Sequence, residues 1–163
     1  MFSLLKENDP LLLEVSEPWD FDTDGDPNDL VRNMIKLMFE SNGIGLSAIQ
    51  VGIKKRIFIM GNEHNLIACI NPKILESVGE IRDTEGCLSF PNLWLMVNRA
   101  ETVKVSYINL RGETVEQEFS GLQARVFQHE YDHLDGVCFV TKVGPVQLDR
   151  AKEKRKKRTK ASS

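Results

Sequence analysis

Apolar residues recur along this chain at two spacings, and each spacing predicts a different kind of element. Between residues 26 and 43 they form a helical stripe, with Asp26 as the cap, Pro27 in the first helical position and the end near Asn42-Gly43. Shorter runs are rich in β-branched residues or alternate with polar ones, which predicts strands. These runs cover 56–60, 65–70, 73–79, 80–83, 103–110 and 113–119.

The runs at 73–79 and 80–83 are expected to pair with each other, and the last two runs to form a hairpin that turns at Arg111-Gly112. A second helix is predicted between Ser120 and Gly136. Ser120 and Gln123 fit a capping box, and Gly136 stands where a left-handed residue ends a helix.

Together these elements predict an α+β fold. Antiparallel strands, in small sheets, should surround the second helix, and the first helix should pack on them. No repeat or linker divides residues 1–146, which predicts one catalytic domain, and residues 147–163 form a basic C-terminal tail. A chain of 163 residues with 41% hydrophobic residues has the size and composition of one globular domain.

Charge and cysteine content indicate the compartment of the protein and its possible partners. The net charge is −3, yet residues 150–160 hold eight Lys or Arg and one acid. This segment either makes a weak contact with ribosomal RNA or is a solvated, frayed terminus. No apolar run is long enough for a membrane span, and no signal peptide is evident. Three cysteines favour a reducing compartment, so we expect a cytoplasmic protein. We also expect a monomer without a membrane partner.

The second helix carries the clearest chemical pattern, His129-Glu130-x-x-His133. Residues four apart share one helix face, so both imidazoles can hold one metal ion, and the adjacent Glu130 can handle the protons of a water molecule. Cys87 lies in a predicted Gly/Pro-bounded loop and becomes a ligand candidate beside this pair. Gln50, in a turn of small residues, is a polar side chain that could point into the site.

Three segments, in this order, resemble the peptide deformylase family. They are Gly43-Ile-Gly45-Leu-Ser47-Ala48-Ile-Gln50, Glu85-Gly86-Cys87-Leu88-Ser89 and His129-Glu130-Tyr-Asp132-His133-Leu134. Two features depart from the family pattern. Ser47 replaces the usual Ala and adds a hydroxyl near the site. The chain also ends about 27 residues after Gly136, as in members carried by bacteriophages, so the cytoplasm of a bacterium or of a phage-infected bacterial host is the expected location.

The resemblance implies a hydrolase that removes the formyl group from the N-terminal formyl-methionine of newly made polypeptides, giving formate and a free amino terminus. One divalent metal is implied: Fe²⁺ is expected, with Zn²⁺, Ni²⁺ or Co²⁺ as substitutes, because the ligand types alone suit zinc equally. The implied metal ligands are Cys87, His129 and His133. Glu130 transfers protons, Gln50 and the Leu88 backbone N–H stabilise the oxyanion, and the nascent peptide lies as a strand beside Gly43 and Gly45.

Helical spacing adds two residues to the substrate side of the site. Arg125 lies four residues before His129 and Leu122 seven before it, so both share its face. Arg125 either narrows the pocket or contacts the peptide, and Arg125→Leu should then change the preference for residues after formyl-methionine. Alternatively, its stem covers apolar surface with the head in water. Arg99, also a candidate for the substrate site, is expected to pair with Glu85 and brace Cys87.

Two other functions fit part of the pattern. A zinc peptidase shares the His-Glu-x-x-His signature, but it normally takes a further ligand downstream, and the remaining histidine, His64, lies upstream. A catalytically inactive binding module on the same fold is the other alternative. Formate release from formyl-Met-Ala-Ser separates all three.

Overall fold

Seven strands form two antiparallel sheets in the computed structural model, which describes residues 2–162. Met1 and Ser163, the outer ends of the predicted domain 1–146 and tail 147–163, lie outside the described residues. The strands are β1 (Gly45–Ser47), β2 (Ile57–Asn62), β3 (Asn65–Val78), β4 (Ile81–Cys87), β5 (Phe90–Arg99), β6 (Thr102–Ile108) and β7 (Thr114–Ser120). The helices are α1 (Asn28–Glu40), α2 (Gly121–Leu134) and α3 (Pro145–Ala161), and short 3-10 turns cover Pro10–Leu13, Ala48–Val51 and Phe139–Lys142.

Helix α2 lies against the larger sheet, whose strand order is β1-β2-β3-β6-β7, while β4 and β5 pair separately. Phe127 of α2 anchors this packing, because its ring meets the edge of Phe58 at 5.0 Å between centroids. Helix α1 packs its buried face, including Met34 and Met38, on the apolar residues of β1 and β2. The predicted α+β fold, small antiparallel sheets around a central helix, is confirmed.

Both helix starts differ in detail from the prediction. Helix α1 begins at Asn28, whose N–H donates to Asp26 Oδ1 at 2.9 Å. Ser120 is the N-cap of α2, but its side chain makes no capping bond, because its hydroxyl lies 3.0 Å from Thr102 Oγ1 on the neighbouring strand. The predicted capping box at Ser120 is therefore wrong. Gly136, with φ 71°, ends the helix as predicted.

The predicted pairing of 73–79 with 80–83 is also wrong. Residues 65–78 form one long strand, β3, which pairs with β6 through a register shift near Ile70 and Lys73. β4 pairs instead with β5, a strand that the sequence pattern did not predict. Cys87 is consequently the last residue of a strand rather than part of a loop, and its position is fixed by the β4–β5 ladder.

The basic tail is a helix over most of its length. Leu148 and Ala151 of α3 pack on an apolar cluster that includes Leu93 and Leu95 of β5. Arg155 makes two bonds to the Glu7 carboxylate, at 3.0 and 3.2 Å. The interpretation of this segment as a frayed terminus is wrong for the residues that the structure describes. Within the same range, no helix combines the length and apolarity that crossing a membrane requires.

Candidate active site

Helix α2 and the end of β4 bring three metal-ligand types together. His129 and His133 lie one turn apart, with ring centroids 5.0 Å from each other. The Cys87 Sγ and one nitrogen of each histidine all lie within 4.8 Å of one another, and Sγ is 3.3 Å from His133 Nε2. Donors of a tetrahedral metal ion are about 3.6 Å apart, so this group fits one ion of that kind.

Three protein donors also leave one coordination position for water or substrate, which is typical of a catalytic site. Both histidines are buried. The Nδ1 of His129 is 3.0 Å from Glu85 Oε2, a contact of the kind that orients a histidine ligand. His133 Nδ1 has no hydrogen-bond partner among residues 2–162. The two candidate ligands therefore differ in how firmly the protein holds them.

Glu85 is the centre of a buried ion-pair cluster behind the ligands. Its oxygens accept from Arg99 Nε at 2.7 Å and Nη2 at 3.0 Å, and from Arg125 Nη1 at 2.9 Å. Burial raises the pKa of Glu85, but the bonds from His129 and Arg99 outweigh it and bring the pKa to about 2. A carboxylate is thus kept charged beside His129, and the predicted Glu85–Arg99 pair is present.

Glu130 lies next to His129 on α2, and 4% of it is exposed. Its Oε2 accepts a 2.6 Å bond from the Ser47 hydroxyl. Burial is the main cause that raises the pKa of Glu130 above its ordinary value. Gly45 makes room for this carboxylate, because a Cβ there would be 2.6 Å from Glu130 Oε1. The structure thus provides a buried carboxylate in one defined orientation.

Gln50 is held in a single orientation by the 3-10 turn of Ala48–Val51. Its Oε1 accepts from the Ser47 N–H at 2.9 Å, which leaves its Nε2 to point towards the site. That nitrogen donates to Ser89 Oγ at 3.2 Å and lies 3.6 Å from Cys87 Sγ. The amide therefore presents its N–H groups beside the candidate metal ligands.

A cavity of about 770 Å³ opens in front of these groups. The edge strand β1 and the preceding Gly43 border one side, and the end of β4 with Leu88 borders another. Leu122 and Arg125 belong to the lining, together with His129 and Glu130.

Arg99 is not in that lining, because Glu85 and Asp132 take its donors from the buried side. The guanidinium of Arg125 is buried as well. It bonds the carbonyls of Val97 and Ile81, both at 2.8 Å, besides Glu85. The alternative with its head in water is therefore wrong, since the residue is only 5% exposed.

Sequence reasoning missed several contacts of the site. They include the bonds of Ser47 to Glu130, His129 to Glu85, Arg125 to Glu85, and Arg99 to Asp132. A partial signal existed for the two helix residues that contact Glu85: Arg125 and His129 share a helix face, and a buried arginine needs an acidic partner. Which acid approaches that face depends on where β4 lies, and the chain pattern alone does not contain that information.

A Cys/His₂ group with two buried histidines, beside a carboxylate and an amide on an α+β fold, defines a metal-dependent hydrolase of the His-Glu-x-x-His type. Comparison with known proteins narrows this class. The sequence model of the polypeptide deformylase family matches residues 1–149. The peptide deformylase of Thermotoga neapolitana is 47% identical over 118 residues, 72% of each protein.

Solved structures of peptide deformylases are also similar to this chain. The peptide deformylase of Synechococcus elongatus, in complex with actinonin, matches 94% of this chain and 85% of its own, with a TM-score of 0.89 and 36% identity. A class I type b peptide deformylase from Acinetobacter baumannii, with Met-Ala-Ser bound, matches 87% of this chain and 98% of its own, with a TM-score of 0.82 and 36% identity.

The chain therefore belongs to the polypeptide deformylase family. It is an enzyme that removes the N-formyl group from nascent polypeptides. The zinc-peptidase alternative is wrong at the level of the family, and the other histidine of the chain, His64, is exposed at the β2–β3 turn, outside the metal-ligand group. The predicted hydrolase is confirmed, and so is its substrate class, formylated nascent peptides.

Proposed function

We propose that Cys87, His129 and His133 hold one divalent metal ion, with Fe²⁺ as the native ion and Zn²⁺, Ni²⁺ or Co²⁺ as substitutes. The observation that carries this proposal is the convergence of the three donor atoms within 4.8 Å. When bound, such an ion lowers the pKa of a water molecule and polarises a carbonyl group. The Glu85 carboxylate supports the arrangement, because it fixes the ring of His129 through Nδ1.

Glu130 acts as the general base and then as the general acid. Its burial raises its pKa, which brings it closer to neutral pH and improves both proton transfers. It accepts a proton from the water that attacks the formyl carbon, and it returns that proton to the amine nitrogen of methionine as the C–N bond breaks. The Ser47 hydroxyl holds the Glu130 carboxylate in place by donating a hydrogen bond to its Oε2.

Gln50 and the backbone N–H of Leu88 stabilise the negative charge on the formyl oxygen. The Gln50 amide suits this role because its oxygen is already bonded to the Ser47 N–H, so its nitrogen faces the ligands. Donors fixed before the reaction stabilise an oxyanion more than mobile ones do. Removal of one such donor typically lowers kcat by about 10²–10³.

The substrate backbone adds as a strand along Gly43 and Gly45. This proposal rests on β1 being the edge strand of its sheet and on the cavity that opens beside it. The A. baumannii relative was crystallised with Met-Ala-Ser, which supports a short peptide as a ligand of this fold. The methionine side chain then occupies the cavity near Leu122 and Arg125. Arg99 acts from behind the site, through Glu85, rather than by contact with the peptide.

Glu130→Gln tests the proposed chemistry. Formate release from formyl-Met-Ala-Ser should fall by about 10²–10⁴, while the metal content per chain stays that of the parent. Glu116→Gln, an exposed change on β7, is the matched control. A Glu130→Gln protein that keeps its metal and more than a third of the parent rate would remove Glu130 from the mechanism.

Three further expectations stay predictions. We expect a monomer, and a bacterial cytoplasm because the relatives named above come from bacteria; those relatives give the phage-infected host no support. We also keep a weak contact of residues 150–160 with ribosomal RNA as a prediction, and it is tested together with the inference below.

A further inference from the structure

A second cavity, of about 670 Å³, lies between α3 and the exposed face of the β4–β5 pair. Five cations contribute to its lining: Arg82, Arg150, Lys154, Arg155 and Arg158. Among residues 2–162, no carboxylate lines this cavity. One of the five cations, Arg155, forms an ion pair with Glu7. The cavity therefore offers a positive surface to an anionic ligand.

The cations on α3 form a row. Arg150, Lys154 and Arg158 follow one another at intervals of four, so they project from the same side of the helix. All three are exposed, and all three line the cavity. The row spans about 12 Å, because a helix rises 1.5 Å per residue, and this length matches roughly four residues of extended peptide.

The second cavity, which we call the groove, adjoins the active-site cavity. Thr84, Asn92 and Trp94 line both cavities. The Trp94 ring lies directly over Gly86, since a Cβ there would be 2.6 Å from the ring. Gly86 precedes the ligand Cys87, so one indole separates the metal-ligand group from the basic groove. A chain that leaves the active site past Trp94 enters the groove.

We propose that the groove binds the part of the nascent polypeptide downstream of the formyl-methionine, and that it favours acidic side chains there. The position of the groove next to the site selects this occupant, because the substrate itself must leave the active-site cavity. Charge complementarity explains the preference for acidic side chains, because five cations and no carboxylate among residues 2–162 line the groove. The groove thus makes deformylation faster for polypeptides that carry Asp or Glu several residues after the first.

Peptides of matched length test this preference. Each begins with formyl-Met-Ala-Ser and carries three consecutive Asp, or three Asn, at one of several downstream positions. The ratio of kcat/KM between the Asp and Asn peptides is the measured quantity, so a general change in catalysis cancels. At low salt the ratio should reach about fivefold to tenfold at the best position, about twofold for each exposed ion pair, and it should approach one in about 1 M salt.

Two triple variants remove the same charge from opposite sides of α3. Arg150→Gln/Lys154→Gln/Arg158→Gln should bring the ratio close to one. Lys152→Gln/Lys156→Gln/Lys160→Gln is the matched control, because those lysines also follow at intervals of four, are exposed and lie outside the lining, and it should keep the ratio. Equal ratios in the two variants would overturn the proposal. Turnover of the Asn peptide reports deformylation itself, so a failed enzyme is recognised separately.

RNA is the competing occupant of a basic surface. Fluorescence anisotropy with a labelled single-stranded RNA gives its affinity for the same two variants. If the row variant lost RNA binding and kept the peptide ratio, the proposal would be overturned, and RNA rather than the peptide would be the ligand of the groove. Loss of the peptide ratio in the row variant alone supports the groove as a substrate site.

Discussion

Glu85→Gln is the perturbation that most directly probes how the protein supports its metal ligands. The wild-type carboxylate accepts from Arg99, Arg125 and His129, and the side chain is only 4% exposed. Gln has nearly the same shape, but it is neutral, and one of its two oxygens becomes a donor nitrogen. That nitrogen would face guanidinium or imidazole N–H groups, so at least one of the three partners loses its acceptor.

The expected loss of stability in Glu85→Gln follows from the burial of the arginines that Glu85 contacts. The side chains of Arg99 and Arg125 are 4% and 6% exposed, and removal of one member of such a buried pair costs about 3–5 kcal/mol. For a domain of this size, 1 kcal/mol corresponds to about 2–4 °C in Tm. We therefore expect the Tm to fall by roughly 10 °C. Loss of an outer partner of a ligand also weakens metal binding about 10–100-fold.

Metal-stripped protein gives the Tm, because bound metal would add its own stabilisation. Competition with a chelator gives the metal affinity of the loaded protein. Glu116→Gln, exposed on β7, should change the Tm by less than about 2 °C. A Glu85→Gln protein that melts within 2 °C of the parent and holds metal equally well would refute the role of this cluster.

Two other substitutions probe contacts in the same site. Ser47→Ala keeps the packing but deletes the 2.6 Å bond to Glu130; we expect kcat to fall by about fivefold with KM little changed, from a loss of about 1 kcal/mol. An unchanged kcat would show that the hydroxyl does not position the carboxylate. Arg125→Leu removes one of the donors to Glu85 and the side-chain donor to two strand carbonyls, so the Tm should fall by several degrees; a change in peptide preference at unchanged Tm would instead support direct contact with substrate.

The helix of the site could be predicted because its information is local. His129, His133 and Arg125 share a face through a spacing of four, and that spacing is visible in the sequence. The partner of Arg125 was not predictable in the same way. Glu85 reaches it only because β4 lies beside α2, a contact between residues 40 apart in sequence. Local pattern predicts the candidate ligands on this helix, whereas tertiary packing decides what orients them.

Strand β5 shows a different limit. Its buried residues Leu93, Leu95 and Val97 alternate as a strand requires. The residues between them include Trp94 and Met96, which are also apolar, although each is at least 40% exposed. The alternation of hydrophobic and polar positions is therefore hidden. Those two side chains line the groove beside α3 that is proposed above to bind peptide.

Formate release by metal-stripped and reconstituted protein tests the central claim most directly. Protein purified without oxygen, stripped with a chelator, should release almost no formate from formyl-Met-Ala-Ser, and one equivalent of Fe²⁺ should restore the activity. His133→Ala, which removes one of the three proposed ligands, should neither retain the metal nor recover activity. Full activity in the stripped protein, or recovery in His133→Ala equal to that of the parent, would contradict the account.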